Sequence, residues 1–422
     1  MSYLQVSMIP AVRISTQAAV EARVFSKRAG ELRIGVRRGN ETVELTRLMM
    51  REGALVRLNL DLSRFVGKVD LCFSLENEQL LWPYEVVNSG QISSTLIDGC
   101  WVDICHWSEE EGRPFNEALK TLTAQDWREQ IFAMAAVGIR GAVIQDVFHL
   151  DMYVGQHNLT IDNYSGLAFY PSALYPGRAD IACEDPIEAI LSAADKCAVQ
   201  VAVGIGLFAW FDFGEQSLAW HKRVADEVWS RYGHHPSFYG FYVSEEIAGS
   251  LYFEDFHPFT RPEQWREVEF FFREFKAFCA TLAPEKPILF ACNNIGFERH
   301  PDAWHDILRH IDILLVFAFA RDLDHLNMRE IKRICQGAGC HFFVDMEVFA
   351  FPFDETGLVP KPIDDLVREI RLYDDCEQIY AYEYTGHMNH PSCPHDLGGE
   401  PAKALYTNYC TYAQSILDEK EA

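Results

Sequence analysis

Two adjacent glutamates, Glu245 and Glu246, end a run of aromatic and aliphatic residues in the segment FYGFYVSEEIAG, residues 238–249. Side chains alternate between the two faces of a strand. If Phe241 and Val243 face outward, then Tyr242 and Glu246 point inward. The pattern therefore favours Glu246 as the reactive glutamate, and it leaves Glu245 at the rim, as a cap or as a contact to a substrate hydroxyl.

A second segment, HFFVDMEVF at residues 341–349, brings another inward glutamate. Alternation predicts an outer set of Phe342, Val344, Met346 and Val348 and an inner set of His341, Phe343, Asp345 and Glu347. Two carboxyl groups at strand ends can flank one glycosidic bond, where a protonated group donates to the leaving oxygen and an ionised group attacks the anomeric carbon. We predict that Glu246 and Glu347 form such a catalytic pair.

Other polar and aromatic residues lie near the predicted strand ends and are candidate substrate contacts. Carboxyl and amide groups would bind sugar hydroxyls, and aromatic rings would stack on the apolar faces of sugar rings. The candidates are Trp101, Asp103, Gln145, Asp146, Tyr175, Trp210, Tyr242, Glu245, Asn293, Asp345, Glu383 and His387.

The run GHMNHPSCPHD places His387, His390, Cys393 and His395 at close spacing, and these residue types can ligate zinc. Their order matches no standard zinc finger, and a hydrogen-bonded active-site loop explains the run equally well. We expect no metal and no cofactor. A metal held by His341, Asp345, Glu383 or this loop remains the alternative.

The elements that must position these residues are apolar strands alternating with amphipathic helices. Eight strand-like segments can be counted, and eight strand–helix pairs are typical of a (β/α)8 barrel, in which the C-terminal ends of the strands carry the chemistry. A doubly wound open sheet is the competing fold, but no strand is followed by a G-x-G-x-x-G turn. The predicted strands span residues 99–105, 140–147, 199–208, 238–245, 287–294, 312–320, 341–349 and 378–385.

The first part of the chain has a different texture. Residues 1–95 contain short β-like runs separated by turn-like stretches, which indicates a small N-terminal β-sandwich domain. Residues 96–422 form the predicted catalytic barrel. Two glycines, Gly204 and Gly206, fall within the third strand and are better explained by close packing than by a phosphate-binding loop.

Composition excludes several classes of partner. The chain has 62 acidic and 37 basic residues and a formal net charge of −25, which repels phosphate backbones and anionic membrane surfaces. We therefore expect neither nucleic acid nor a membrane as a partner. No leader-like or membrane-spanning segment stands out, so we expect a cytoplasmic protein with reduced cysteines.

Three stretches resemble a known family: WREQIFAMAAVGIRGAVIQDV, YPSALYPGR followed by DPIEAILSAADKCAVQVAVGIGL, and FYGFYVSEEI. They look like the bacterial barrel family of unknown function of the DUF4434 type, whose members are regarded as candidate glycoside hydrolases. The resemblance covers about residues 98–390. In that family an acid–Glu dipeptide ends the fourth strand, and its glutamate corresponds to Glu246.

The layout more distantly resembles clan A glycoside hydrolases, in which the acid/base follows strand four and the nucleophile follows strand seven. The resemblance implies these roles for Glu246 and Glu347. The sequence departs from the clan at Glu245, which stands where an asparagine normally precedes the acid/base.

Together these observations favour a glycoside hydrolase acting on an oligosaccharide or glycoside with retention of configuration. Retention requires the two carboxyl groups to lie about 5–5.5 Å apart, whereas about 6.5–9.5 Å indicates inversion. A carbohydrate isomerase, lyase or transglycosidase, or a non-catalytic sugar-binding barrel, could use the same fold. The oligomeric state stays open, with a homo-oligomer as one option.

Overall fold

The computed structural model describes residues 3–39, 41–149, 167–175, 177–206, 213–251, 265–319, 327–352 and 356–421. Its N-terminal part consists of two sheets, with strand orders β1-β3-β6 and β2-β8-β7-β4-β5, whose apolar faces share one core. This confirms the predicted β-sandwich. Its strands are β1 (Leu4–Ile9), β2 (Arg13–Ser15), β3 (Val20–Ser26), β4 (Gly30–Arg38), β5 (Glu41–Met50), β6 (Ala54–Leu60), β7 (Gly67–Leu75) and β8 (Glu78–Val87).

Eight parallel strands follow and close into a barrel, in which neighbours in the chain are neighbours in the sheet and the last strand pairs with the first. The predicted (β/α)8 barrel is confirmed, and each of the eight predicted segments contains one of its strands. They are β9 (Gly99–Trp101), β10 (Gly141–Ile144), β13 (Gln200–Gly204), β14 (Phe238–Val243), β15 (Ile288–Cys292), β16 (Ile313–Phe317), β17 (His341–Glu347) and β20 (Gln378–Tyr382).

Helices surround the barrel, and two short strand pairs extend from it: β11 (Phe148–His149) with β12 (Leu167–Ala168), and β18 (Phe349–Ala350) with β19 (Val359–Pro360). Within the described residues, no helix combines the length and the hydrophobicity needed to span a bilayer. The helices are α1 (Asn116–Lys120), α2 (Ala124–Ala136), α3 (Pro186–Cys197), α4 (Glu215–Tyr232), α5 (Trp265–Leu282), α6 (Pro301–Leu308), α7 (Met328–Ala338), α8 (Ile363–Ile370) and α9 (Gly399–Glu421).

Local sequence explains where the helices begin. Thr123 caps α2 through a capping box, in which its hydroxyl accepts from the Asp126 amide while the Asp126 carboxylate accepts from the Thr123 amide. Asp185 caps α3, and Pro186 occupies the first turn, where its missing N–H costs nothing. These caps fix the points at which the chain leaves each loop and packs against the barrel.

The barrel strands divide their side chains as alternation predicts. Phe241 and Val243 of β14, and Phe342, Val344 and Met346 of β17, belong to the core between strands and helices. A second core fills the barrel interior and includes Trp101, Val143, Ala202, Tyr242, Leu289, Phe343 and Tyr380. The prediction that even-numbered residues near the end of β14 and odd-numbered residues of β17 point inward is therefore confirmed for Tyr242 and Phe343.

The N-terminal domain closes the bottom of the barrel. Ile9, Ala11 and Val12 contribute to the interior core, and the Tyr239 hydroxyl donates to the carbonyl oxygen of Met8 at 3.0 Å. The Arg23 guanidinium also forms a buried ion pair with Asp312 at 2.8 Å. With the bottom occupied, a ligand can enter the barrel only from the opposite end, where the strands carry their C-terminal residues.

His341 lies at this bottom end, at the start of β17. Its Nδ1 is 2.6 Å from Oε2 of Glu377, and its Nε2 is 3.9 Å from Oε2 of Glu21. Burial lowers the pKa of His341, but the charge of Glu377 and the hydrogen bond to Glu21 outweigh it and raise that pKa to about 10. His341 starts β17 and Glu383 follows the end of β20, so the two residues lie at opposite ends of the barrel and cannot both bind one metal ion.

Because the folded pKa of His341 lies above its unfolded value of about 6.5, its stabilising contribution is fully present below that value and is lost as pH rises through about 10. We expect His341→Gln to lower the unfolding free energy by about 1.5–3 kcal/mol at pH 6, the range for hydrogen bonds to charged groups. Urea unfolding at pH 6, 8 and 10.5 should show the difference from wild type shrinking at the highest pH. A stability difference that does not change with pH would contradict the raised pKa of His341. The control is His305→Gln, at a histidine whose side chain is 43% exposed.

Candidate active site

Glu246 lies just beyond β14 and takes part in a group of carboxyls at the C-terminal mouth of the barrel. Burial raises its pKa to about 8, so the group is mostly protonated at neutral pH. Its charge acts on the inward Tyr242 of the same strand and on Asp345 of β17. A carboxyl group that keeps its proton near pH 7 has the property required of a general acid.

The neighbouring Glu245 takes the opposite direction. It is buried, and its Oε1 lies 3.8 Å from Nε2 of His221 on α4. His221 in turn packs edge-on against Phe271 of α5, at a ring-centroid distance of 4.9 Å. Glu245 thus lies between the barrel and its helices, whereas Glu246 faces the mouth. The structure therefore separates the two glutamates that the sequence leaves adjacent.

Glu347 is the last residue of β17, and Asp345 precedes it on the same inward face; both are buried. Burial, followed by the charges of Glu347 and Glu246, raises the pKa of Asp345 well above its ordinary value. Such repulsion requires proximity. The carboxyl groups at the ends of strands four and seven therefore lie within electrostatic range of one another. Lys361 holds the end of β17, because its Nζ donates to the carbonyl oxygen of Glu347 at 2.8 Å.

Asp103 and Glu383 add a second pair of carboxyls, which are neighbours because they follow the paired strands β9 and β20. Burial, followed by the charge of Asp103, raises the pKa of Glu383 well above its usual range. Burial raises the pKa of Asp103 to about 6, against hydrogen bonds from Glu383 and Tyr382 that lower it. The two carboxyls thus influence each other, and burial favours the protonated form of both. The Tyr382 hydroxyl donates to Oδ2 of Asp103 at 2.7 Å.

Two buried histidines flank Glu383, and only His387 was a candidate from the sequence. Nδ1 of His387 lies 4.0 Å and Nε2 of His106 lies 3.7 Å from Oε1 of Glu383. Burial lowers the pKa of His387 to about 3 and that of His106 to about 4, so both rings are neutral. His106 follows Asp103 by three residues in DICHW. Its position just after the first strand is the sequence feature that could have identified it as a site residue.

The second strand and the aromatic residues complete the mouth. Gln145 is buried just beyond β10, and its Oε1 lacks a hydrogen-bond partner in the described part of the chain. Burial and the charge of Asp103 raise the pKa of Asp146 well above its ordinary value. Trp101 and Tyr242 pack edge to face at 5.9 Å and form an aromatic floor beneath the carboxyls.

Three candidates from the sequence have other surroundings or cannot be placed. Tyr175 packs on Trp220 of α4 at a ring-centroid distance of 4.7 Å. Asn293 uses its Oδ1 to accept from the Ile295 amide at 2.7 Å, which closes a local turn. Trp210 lies outside the described residues.

Close packing explains both glycines, although only Gly204 lies within β13, and Gly206 follows the strand instead of lying in it as predicted. A Cβ atom at Gly204 would lie 1.9 Å from the carbonyl oxygen of Gln145, and one at Gly206 would lie 3.0 Å from Cβ of Ser244. The Ser244 hydroxyl donates to that same Gln145 oxygen at 2.5 Å. The ends of strands two, three and four are thereby held together just before Glu246.

The His-rich run does not gather into one site. His395 pairs with Asp126 at 3.1 Å, Cys393 accepts from the side chain of Gln130 at 3.4 Å, and His390 bonds Ser392 at 2.6 Å. In the described ranges, three ligand atoms lie within 4.8 Å of one another only in one group, which precedes β14 and lies away from the mouth. That group is Glu188, His234 and His235.

Comparisons with known proteins give a family and a fold. A family model described as "Domain of unknown function (DUF4434)" matches residues 97–394. None of the curated proteins compared matches the sequence. A solved structure described as "a putative alpha-L-fucosidase from Bacteroides thetaiotaomicron VPI-5482" is 18% identical with a TM-score of 0.55, covering 76% of this chain and 95% of that one. This likeness shows a shared fold.

Two further solved structures are similar over most of this chain. A GH2 beta-galacturonidase from Eisenbergiella tayi bound to galacturonate is 11% identical with a TM-score of 0.43, covering 94% of this chain and 69% of that one. A beta-glucuronidase from Bacteroides uniformis is 10% identical with a TM-score of 0.45, covering 97% of this chain and 50% of that one.

Proposed function

Since the chain belongs to the DUF4434 family, whose described function is unknown, we propose from its barrel and its site that it is a glycoside hydrolase. In this proposal Glu246 is the general acid/base and Glu347 is the nucleophile of a retaining, two-carboxylate mechanism. Its substrate is an oligosaccharide or another glycoside that enters at the C-terminal mouth.

One arrangement supports the proposal: Glu246 lies just beyond the end of strand four and Glu347 ends strand seven, and both glutamates influence the pKa of the buried Asp345. The two glutamates come from strands four and seven, and they have different surroundings. Burial raises the pKa of Glu246 to about 8, which favours its protonated form at neutral pH, and the Lys361 ammonium holds the end of β17 by donating to the backbone carbonyl oxygen of Glu347. Cleavage of a glycosidic bond requires one protonated and one ionised carboxyl group, and the proposal gives the ionised role to Glu347.

The proposed reaction has two steps. In the first, protonated Glu246 donates its proton to the leaving oxygen while ionised Glu347 attacks the anomeric carbon, and a covalent glycosyl–enzyme forms. In the second, Glu246, now ionised, takes a proton from water, and the water displaces Glu347 with a second inversion. Asp103, Asp345 and Glu383 lie at the same mouth and could bind the sugar hydroxyls.

A screen against aryl glycosides and natural oligosaccharides, with the product anomer followed by NMR, tests this proposal. Release of the anomer that matches the substrate supports retention, and release of the opposite anomer would assign Glu347 as a general base. Saturable sugar binding without product over long incubation would contradict hydrolysis and favour a sugar-binding barrel.

The pKa of Glu246 predicts the basic limb of the pH profile. A general acid acts in its protonated form, so kcat/KM should fall as pH rises through about 8. We expect about a tenfold loss for each pH unit above that value. Activity that is flat between pH 7 and 9.5 would contradict the assignment, provided that circular dichroism shows the enzyme folded throughout.

A further inference from the structure

Among the residues that the structure describes, the mouth of the barrel carries several acids whose pKa values show no influence from a lysine or arginine. Five carboxyl groups define what we call the carboxyl cluster: Asp103, Asp146, Glu246, Asp345 and Glu383. Within the described part of the chain, the main influences on their pKa values are burial, other carboxyls and neutral hydrogen-bonding groups, and no lysine or arginine is among them. The nearby Lys361 is engaged by the Glu347 carbonyl oxygen and by Glu369.

The mouth also contains buried hydrogen-bond acceptors to which no described residue donates. Oδ1 of Asp345 and Oε1 of Gln145 have no hydrogen-bond partner there, although the two side chains are only 2% and 5% exposed. Buried polar atoms are rarely left unpaired, because each costs about 1–3 kcal/mol. These oxygens can accept hydrogen bonds from a ligand that carries donor groups.

A single metal ion does not suit this arrangement. In the described residues, no three ligand atoms of the carboxyl cluster lie within 4.8 Å of one another, and the only such group is Glu188 with His234 and His235. Oxygen ligands of one calcium or magnesium ion must all lie about 2.0–2.6 Å from it. The carboxyls are spread over a wider space, which matches a ligand the size of a sugar.

An ammonium group fits both the charge and the hydrogen bonding, because it is a cation with three donors and no acceptor. We propose that the substrate is a glycoside of an amino sugar, whose free amino group is bound as an ammonium by Asp345 and the Asp103–Glu383 pair. This inference rests on the proposed function and narrows its substrate class. The same reasoning predicts that a uronic acid binds more weakly than the amino sugar, because its carboxylate cannot pair with these acids as an ammonium does.

Calorimetric titration of the full chain tests the inference without turnover. The probes are glucosamine, galactosamine, glucose, galactose and glucuronate at pH 7. We expect the preferred amino sugar to bind about tenfold or more tightly than its neutral counterpart. This ratio has the same free energy as a change of one unit in the pKa of a carboxyl group that contacts the ammonium. An ammonium also lowers the pKa of nearby carboxyls, so binding should release protons, detected as heats that differ between phosphate and Tris buffers. Equal or tighter binding of glucose or glucuronate, or no amino-sugar binding, would overturn the inference.

Asp345→Asn removes the group that can ionise beside an ammonium and keeps the shape of the side chain. It should abolish the preference for the amino sugar, and Glu383→Gln provides the same test if the first variant does not fold. Glu377→Gln, at the bottom of the barrel, should keep the preference. Amino-sugar binding without hydrolysis of any glycoside would refute the proposed function alone. Hydrolysis that favours uronides, or calcium binding that replaces the amino-sugar preference, would overturn this inference alone.

Discussion

Replacement of Glu246 by glutamine is expected to lower kcat by about 10²- to 10⁴-fold, the usual contribution of general acid–base catalysis. The amide keeps the size of the side chain but has no proton to transfer to the leaving oxygen. In kcat/KM, which reports the first step, the loss should be small for aryl glycosides whose phenolate leaves without protonation, and large for natural glycosides. For aryl glycosides kcat should still fall, because the second step needs Glu246 as a base. Steady-state kinetics on both substrate types, with thermal unfolding to verify the fold, would measure the effect.

Glu245→Gln separates the two neighbouring glutamates. Because Glu245 lies beside His221 between the barrel and its helices, we expect this variant to keep the basic limb near pH 8, whereas Glu246→Gln should lose it. Thermal stability is the property that Glu245→Gln should change. If Glu245→Gln removes the limb and Glu246→Gln retains it, our choice between the two is wrong.

Most of the fold could be predicted from the sequence because it depends on periodicity. The apolar segments of the eight strands and the helices between them recur in order along the chain, and short alternating runs mark the N-terminal sandwich. Alternation also gave the correct faces for Phe241, Val243 and the apolar residues of β17. These features are local, so one sequence suffices to find them.

The site was harder to predict because it depends on contacts between distant parts of the chain. Glu245 and Glu246 have nearly the same sequence surroundings, and only the position of α4 shows that Glu245 contacts His221. His106 joins Glu383 across 277 residues of sequence through the pairing of the first and last strands. His341 matched the inward pattern of β17, but parity does not tell which end of a strand is open.

The second test concerns Glu347. We expect Glu347→Ala to lower kcat on the order of 10⁴-fold or more, because the covalent intermediate cannot form without its nucleophile. The truncation also opens a space beside the anomeric carbon. Added azide should enter it, restore turnover and give a glycosyl azide of the configuration opposite to the wild-type product. NMR of the product and kinetics with increasing azide would check both expectations.

Glu347→Gln is the matched variant, because it removes the charge but fills the same space. It should be as inactive as Glu347→Ala and should not respond to azide, whereas Glu377→Gln at the bottom of the barrel should keep wild-type kinetics. Rescue of both Glu347 variants would mean that azide acts elsewhere. Full activity of Glu347→Gln would exclude Glu347 as the nucleophile and leave Asp345, the other buried acid of β17 whose carboxyl lies within range of the charge of Glu246, as the group to examine.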